Sequence, residues 1–191
     1  MPVSPLKPVV DAKWRFMWKI GERPEDSPDN FPPVLPAGFP DWTSKMDKWG
    51  NMLNTSVFTL AEMAAVGMGV ARNTFADRLN GGAHLLAPTG SDLKKNDVGA
   101  IFAGFHYDIS FMTIHGKSRY PGLHLWTRDW KKVTLNFPPG CLFVQAGATF
   151  EHITGGYVLG GFHEVTYTEG TKNAYLKRQQ DWEEQGMGQR R

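Results

Sequence analysis

The 191-residue chain has a single cysteine, Cys141, and no cluster of charges of one sign. A lone cysteine excludes an internal disulfide framework and is typical of a reducing compartment. The 21 Lys and Arg residues are scattered among 19 acidic ones, so no basic stripe indicates a nucleic-acid surface. The early stretch WRFMWKIGER mixes aromatic and charged residues, which predicts neither a signal peptide nor a membrane span. We therefore expect a cytoplasmic domain that binds neither nucleic acid nor membrane.

The remaining composition is that of a folded domain. Hydrophobic residues make up 41% of the chain and aromatic residues 13%, which is too apolar for disorder. A length of 191 residues is enough for one domain with a core but short for two. Nine of the 13 prolines lie in residues 1–40, which predicts an extended arm. Its alternating Trp14, Phe16 and Trp18 predict a face that is buried against the domain, and the aromatic, Pro-rich arm is also a candidate surface for a protein partner.

Residues 41–83 are predicted to form a helical region. Apolar residues recur at steps of three and four along this stretch. Asp41 is the predicted N-cap of the helix, and Gly67 and Gly69 are predicted to end it. We expect one long helix there and a shorter one over residues 71–79. The predicted apolar stripe consists of Trp42, Met46, Trp49, Leu53, Val57, Leu60 and Ala64.

Residues 84–168 are predicted to form a β core, because the apolar period shortens towards two. Stretches such as GAIFAGFHYDISFMTIHG, GLHLWTRDWKKVTLNF, GCLFVQAG and GFHEVTYT alternate and are separated by Gly, Pro and charged turns. Short antiparallel strands after helices predict an α+β domain. Residues 169–191 become polar again and are expected to form a helical tail.

His106 and Asp108 stand two residues apart in the strand-like stretch GFHYDISF. Alternate residues of a strand share a face, so both side chains are expected to project together. A hydrogen-bonded core pair is the commoner reason for such a pattern. A third residue, His163 in GGFHEVTY, favours a metal site over a core pair. Two histidines and a carboxylate form the facial triad of non-haem Fe(II) sites. His115 and His124 are expected to face outward on their strands.

From His106 to Val165 the sequence resembles the core of the isopenicillin N synthase-like dioxygenases, which depend on Fe(II) and 2-oxoglutarate. The resemblance rests on HYDISFMTI, PGLHLW, WKKVTLNFPPGCLFVQAG and TGGYVLGGFHEV, in that order. It implies a double-stranded β-helix, a jelly-roll or cupin-like core, with Fe(II) held by His106, Asp108 and His163. It also implies 2-oxoglutarate as a cosubstrate, O2, and a small-molecule substrate.

One feature of that family is missing. The family holds the far carboxylate of 2-oxoglutarate with an Arg-x-Ser pair on its final strand, and no Arg-x-Ser follows His163. At the commonest spacing Lys172 replaces the arginine, which makes Lys172 a candidate for cofactor binding without the bidentate fork. Either the chain stops before its last strand or the site has lost its cosubstrate. We favour the first, and expect these 191 residues to hold Fe(II) better than 2-oxoglutarate.

Three functions remain open from these patterns. The first is an Fe(II)- and 2-oxoglutarate-dependent dioxygenase that hydroxylates or otherwise oxidises a small molecule. The second is a cupin-like metalloprotein with hydrolytic or isomerase chemistry, for which a His-x-His pair is expected instead of His-x-Asp. The third is a non-catalytic or truncated dioxygenase-like barrel that serves as a binding or assembly module. The missing Arg-x-Ser and the aromatic arm keep the third hypothesis open.

Overall fold

The structure is a computed structural model that describes residues 10–22, 24–28 and 30–186. The predictions for residues 1–9 and 187–191 lie outside the described residues. The chain divides into two compact units, one of Arg15–Thr89 and one of Met1–Trp14 with Gly90–Arg191. Strands β1 (Trp14–Arg15) and β4 (Thr89–Gly90) lie where the chain passes from one unit to the other. In the described part of the chain, no helix is both long and apolar enough to cross a membrane.

The unit Arg15–Thr89 is built around one long helix. Its elements are β2 (Trp18–Lys19), α1 (Trp42–Gly67), α2 (Ala76–Leu79) and β3 (Leu85–Leu86), with β2 and β3 paired antiparallel. The long helix is confirmed, and the second is shorter than the predicted 71–79. Asp41 precedes α1 as expected, but its side chain makes no capping hydrogen bond and pairs with Lys45 instead. Because the Asp41 carboxylate pairs with Lys45 in the first turn of the helix, it does not accept from the first N–H groups of α1.

The predicted apolar stripe of α1 is half-buried apart from Trp49, but the most buried residues of the helix are small ones. The buried residues of α1 are Gly50, Ala61 and Ala65, while Trp49 is 47% exposed. A β-carbon on Gly50 would lie 2.2 Å from Cγ2 of Ile20. The absence of a side chain at Gly50 therefore allows Ile20 to pack directly against the helix. The period was therefore predicted correctly, and the large residues of the stripe contribute to the contact face. The small residues beside them let neighbouring chain approach the helix closely.

The unit formed by Met1–Trp14 and Gly90–Arg191 contains the β core. Its strands are β5 (Ile101–His106), β6 (Met112–His115), β7 (Leu123–Trp126), β8 (Lys132–Thr134), β9 (Phe143–Ala146) and β10 (His163–Thr166). Four of them form a sheet in the order β5-β10-β7-β8, and β6 pairs with β9 in a second sheet. All of these pairings are antiparallel, as the short alternating strands predicted.

Two helices complete this unit, α3 (Ala148–Ile153) and α4 (Glu169–Glu184). The helix α4 begins at a capping box, in which the side chains of Thr168 and Thr171 each accept from the other's backbone N–H. Thr171 is 1% exposed, and its hydroxyl also donates to the carbonyl of Pro121 at 2.7 Å. The polar tail is therefore helical as expected, and its first turn is fixed to the chain that leads into β7.

Candidate metal centre

Two of the predicted ligands are brought together by strand pairing. The neighbouring strands β5 and β10 place His163 directly opposite His106, and their ring centroids lie 4.2 Å apart. Residues that face each other across an antiparallel pair share one face of the sheet. Their sequence neighbours Phe105 and Phe162 stack at 4.9 Å, as expected of residues on the opposite face. The alternation of the two strands thus separates a histidine face from an aromatic face.

Asp108 reaches the same place by a different route from the one predicted. Strand β5 ends at His106, so Asp108 lies two residues beyond it and strand alternation does not position its side chain. Its backbone is held by the N–H of Ala148, which donates to the Asp108 carbonyl at 2.8 Å. A β-carbon on Gly147 would lie 2.0 Å from the carbonyl oxygen of Ser110 and 2.8 Å from that of Asp108. The loop that carries the carboxylate therefore depends on the absence of a side chain at Gly147.

The ligand atoms that His106, Asp108 and His163 can offer all lie within 4.8 Å of one another. Nδ1 of His106 lies 2.6 Å from the carbonyl of Gly104, and Nδ1 of His163 lies 3.1 Å from that of Gly161. A carbonyl oxygen can only accept, so Nδ1 of His106 carries a proton. Nδ1 of His163 also lies 3.2 Å from the amide Nε2 of Gln145, and a proton on this Nδ1 leaves Nε2 of His163 to bind a metal. Two imidazoles and one carboxylate suit a non-haem Fe(II) ion, and the residues present fit that group.

The protonation states also suit a metal site. Burial lowers the pKa of His163, which favours the neutral imidazole that a metal needs. Hydrogen bonding to Asp108 raises the pKa of His106 against the opposing effect of burial. Burial alone would raise the pKa of Asp108, but hydrogen bonds from His106, Thr113 and Gln145 outweigh it and hold that pKa well below its ordinary value. The carboxylate is therefore ionised, and a bound cation would displace the proton of His106.

The second sheet adds residues that the sequence analysis did not assign to the site. Strand β6 pairs Thr113 with Gln145 of β9 and His115 with Phe143. Gln145 is 6% exposed, and its amide donates to Asp108 at 2.8 Å. A polar residue at the centre of the apolar stretch CLFVQAG is the one sequence signal for it, because buried polar groups need partners.

The prediction that His115 faces outward was wrong. Its Nε2 is buried, its ring stacks on Phe143 at 5.7 Å, and its centroid lies 5.8 Å from that of His163. Alternation along β6 could not decide this, because the side on which a strand is buried depends on the sheet it joins. His124 behaves differently. It pairs with Glu164, the residue after His163, and so lies on the face opposite to the ligands.

Lys172 lies on α4, and its ammonium forms an ion pair with Asp97 at 3.0 Å. The pairing with Asp97 raises the pKa of Lys172. The ammonium that the sequence offered for a cosubstrate carboxylate therefore lies in an exposed ion pair with Asp97.

No protein-family profile and no curated protein matches this chain, but solved structures do. A protein from Caulobacter crescentus assigned to the 2OG-Fe(II) oxygenase family has a TM-score of 0.74 and 22% identity, over 88% of this chain and 55% of its own. A full-length Neurospora crassa protein, solved in complex with alpha-KG, has a TM-score of 0.70 and 20% identity, over 83% and 50% of the two chains. JOX2, in complex with 2OG, Fe and JA, has a TM-score of 0.64 and 14% identity, over 83% and 46%.

These likenesses establish the fold of the chain. It shares the fold of 2-oxoglutarate- and iron-dependent oxygenases, and it spans about half the length of the solved structures that it matches. A fold is compatible with several chemistries, so the function has to be argued from the site.

Proposed function

We propose that this chain forms the metal-binding core of a non-haem Fe(II)- and 2-oxoglutarate-dependent oxygenase of the isopenicillin N synthase-like kind, acting on a small molecule. Residues 84–168 correspond to the double-stranded β-helix, and His106, Asp108 and His163 are the metal ligands. The observation that carries the proposal is the convergence of these three side chains, whose ligand atoms lie within 4.8 Å of one another. The shared fold supports it.

Fe(II) and 2-oxoglutarate, when bound, would supply the chemistry that activates O2 for oxidation of a C–H bond of the substrate. The chain's own part is to hold the ligands in place. The sheet places the two imidazoles through backbone pairing, and the carbonyls of Gly104 and Gly161 lie within hydrogen-bonding distance of their Nδ1 atoms. Phe111 and Phe150 are both buried and pack at 4.3 Å, which ties the segment after Asp108 to α3. Rigid ligands of this kind keep one arrangement without the metal and lose little freedom when it binds.

The missing Arg-x-Ser bears on the cosubstrate. 2-Oxoglutarate has two carboxylates, and one lies away from the metal and needs a positive partner when it is buried. No Arg-x-Ser follows His163 in the sequence, and Lys172 is paired with Asp97. We therefore propose that these 191 residues bind Fe(II) strongly and 2-oxoglutarate weakly.

The proposal is tested by titrating the metal-free chain with Fe(II) under argon in a calorimeter, alongside Asp108→Ala. The wild-type chain should bind one Fe(II) per chain, and Asp108→Ala should show no measurable binding, because it removes the only carboxylate of the set. Asp181→Ala, which changes an exposed aspartate on α4, is the matched control and should bind like the wild type. Binding by Asp108→Ala equal to that of the wild type would show that the metal sits elsewhere.

A further inference from the structure

Gln145 is a buried polar side chain that contacts the triad without belonging to it. It lies on β9 opposite Thr113 of β6 and is 6% exposed. Its Nε2 donates to Oδ2 of Asp108 at 2.8 Å, and it lies 3.2 Å from Nδ1 and 3.5 Å from Nε2 of His163. The amide thus contacts both the carboxylate of Asp108 and the imidazole of His163.

The orientation of this amide is fixed by Asp108. An ionised carboxylate can only accept hydrogen bonds, so the Nε2 end of Gln145 must face it. Rotating the amide by half a turn would place Oε1 against a carboxylate oxygen, which is repulsive. The carboxylate's other oxygen, Oδ1, is the one that lies 3.6 Å from Nε2 of His106. One oxygen of Asp108 is therefore held by Gln145, while the other lies beside the first imidazole.

The other end of the amide does not stabilise β9 through a hydrogen bond. Among the described residues, Oε1 of Gln145 is buried and has no hydrogen-bond partner. A buried acceptor without a partner is costly and uncommon in folded proteins. An apolar side chain of the same length would fill this place on β9 without that cost. The donor end, by contrast, has a specific partner, and that partner is a predicted metal ligand.

We propose that Gln145 is the positioning residue of the metal site: its amide N–H holds Oδ2 of Asp108, so that Oδ1 is presented to the ion shared with His106 and His163. This inference rests on the proposed function, because it requires Asp108 to be a metal ligand. Outer-shell partners of this kind orient the ligand and tune its donor strength.

The test uses Co(II) alone as the probe, because its visible absorption reports the geometry of its ligands. In Gln145→Met the side chain keeps its length and loses the N–H. Co(II) should bind about 10- to 100-fold more weakly, the usual cost of losing an outer-shell partner, and the absorption bands should change. The metal-free variant should melt within about 4 °C of the wild type, since it also removes the unpaired Oε1. Gln180→Leu, at an exposed position on α4, is the control and should change neither readout.

A second variant keeps the test interpretable if Gln145→Met does not fold. Gln145→Asn keeps an amide but is one methylene shorter, so its N–H no longer reaches Asp108, and it should also bind Co(II) more weakly with altered bands. Unchanged affinity and spectrum in both variants, with normal binding by the wild type, would overturn the role of Gln145 alone. Absence of Co(II) binding by the wild type would overturn the proposed function and this inference with it.

Discussion

The two halves of the candidate metal site are held in different ways. His106 and His163 lie on paired strands, where the backbone register sets their spacing, whereas Asp108 lies on a loop beyond the end of β5. The backbones of the two histidines are placed by the sheet. The carboxylate needs Gly147, the N–H of Ala148 and the amide of Gln145, which all come from a different part of the chain.

This difference separates two kinds of support for a metal ligand. Backbone pairing is cooperative and is shared along a strand, so a single side-chain change leaves it in place. A loop held by a few close contacts can be displaced by one methyl group. We therefore expect substitutions around the histidines to act on metal binding only when they remove a ligand atom. Substitutions around Asp108 are expected to act also through its position.

The largest effect is expected from the inner face of β10. His163→Ala removes one of three ligands and should weaken Co(II) binding by more than the roughly 10- to 100-fold typical of outer-shell changes. His124→Ala is the matched control on β7, because His124 lies opposite Glu164 on the other face of the sheet. It should leave the Co(II) dissociation constant within about threefold of wild type. Equal losses in the two variants would contradict the assignment of faces.

Gly147→Ala probes the loop that carries the carboxylate. The new methyl group would meet backbone oxygens of Ser110 and Asp108, which cannot rotate away, so the loop must shift. We expect a loss of about 1–3 kcal/mol in the free energy of unfolding, the usual cost of overpacking, together with weaker Co(II) binding. Urea denaturation and Co(II) titration of the same preparation measure both.

The control for this substitution is Gly116→Ala. Gly116 follows β6, it does not adopt a positive φ, and a β-carbon there would meet nothing within 4 Å. This variant should unfold and bind Co(II) like the wild type. If Gly147→Ala lost stability and kept full affinity, the site would not depend on the loop position, and the contrast between the two halves would fail.

The same contrast explains how much the sequence could predict. The long helix and the antiparallel strands follow from periodicity. The meeting of His106 with His163 was predicted from the residue set of a facial triad and from the resemblance to the dioxygenase family. The position of Asp108 was predicted for the wrong reason, since the strand stops two residues before it. Alternation identifies residues that share a face, but it does not show where the pairing ends.

Gln145 and His115 could not be predicted because their roles depend on which sheet their strands join. Strands β6 and β9 pair with each other, separately from the four-stranded sheet, and this pairing places Gln145 beside Asp108. Local alternation is the same whichever face is buried. Likewise, the burial of Gly50 on α1 depends on Ile20, which is far from it in sequence. Contacts between distant segments decided each of these cases.

The smallest expected effect concerns the contact between Asp11 and strand β5. The carboxylate of Asp11 accepts from the N–H of Gly104 at 2.9 Å and pairs with Lys13 at 2.8 Å. The carbonyl of Gly104 is the group that fixes the tautomer of His106. Burial alone would raise the pKa of Asp11, but these two hydrogen bonds outweigh it and lower the pKa below the ordinary 3.8.

Asp11→Asn should therefore destabilise the fold slightly at neutral pH and leave Co(II) binding unchanged, because Gly104 stays within β5. A carboxylate with a lowered folded pKa stabilises the fold above its ordinary pKa of 3.8 and loses that contribution as the pH falls through the folded value. The stability difference between wild type and Asp11→Asn should thus be constant between about pH 7 and pH 5, and should shrink below about pH 4. Urea denaturation of both proteins across this range measures it. A difference that grew on acidification would mean that Asp11 is not stabilised as the anion.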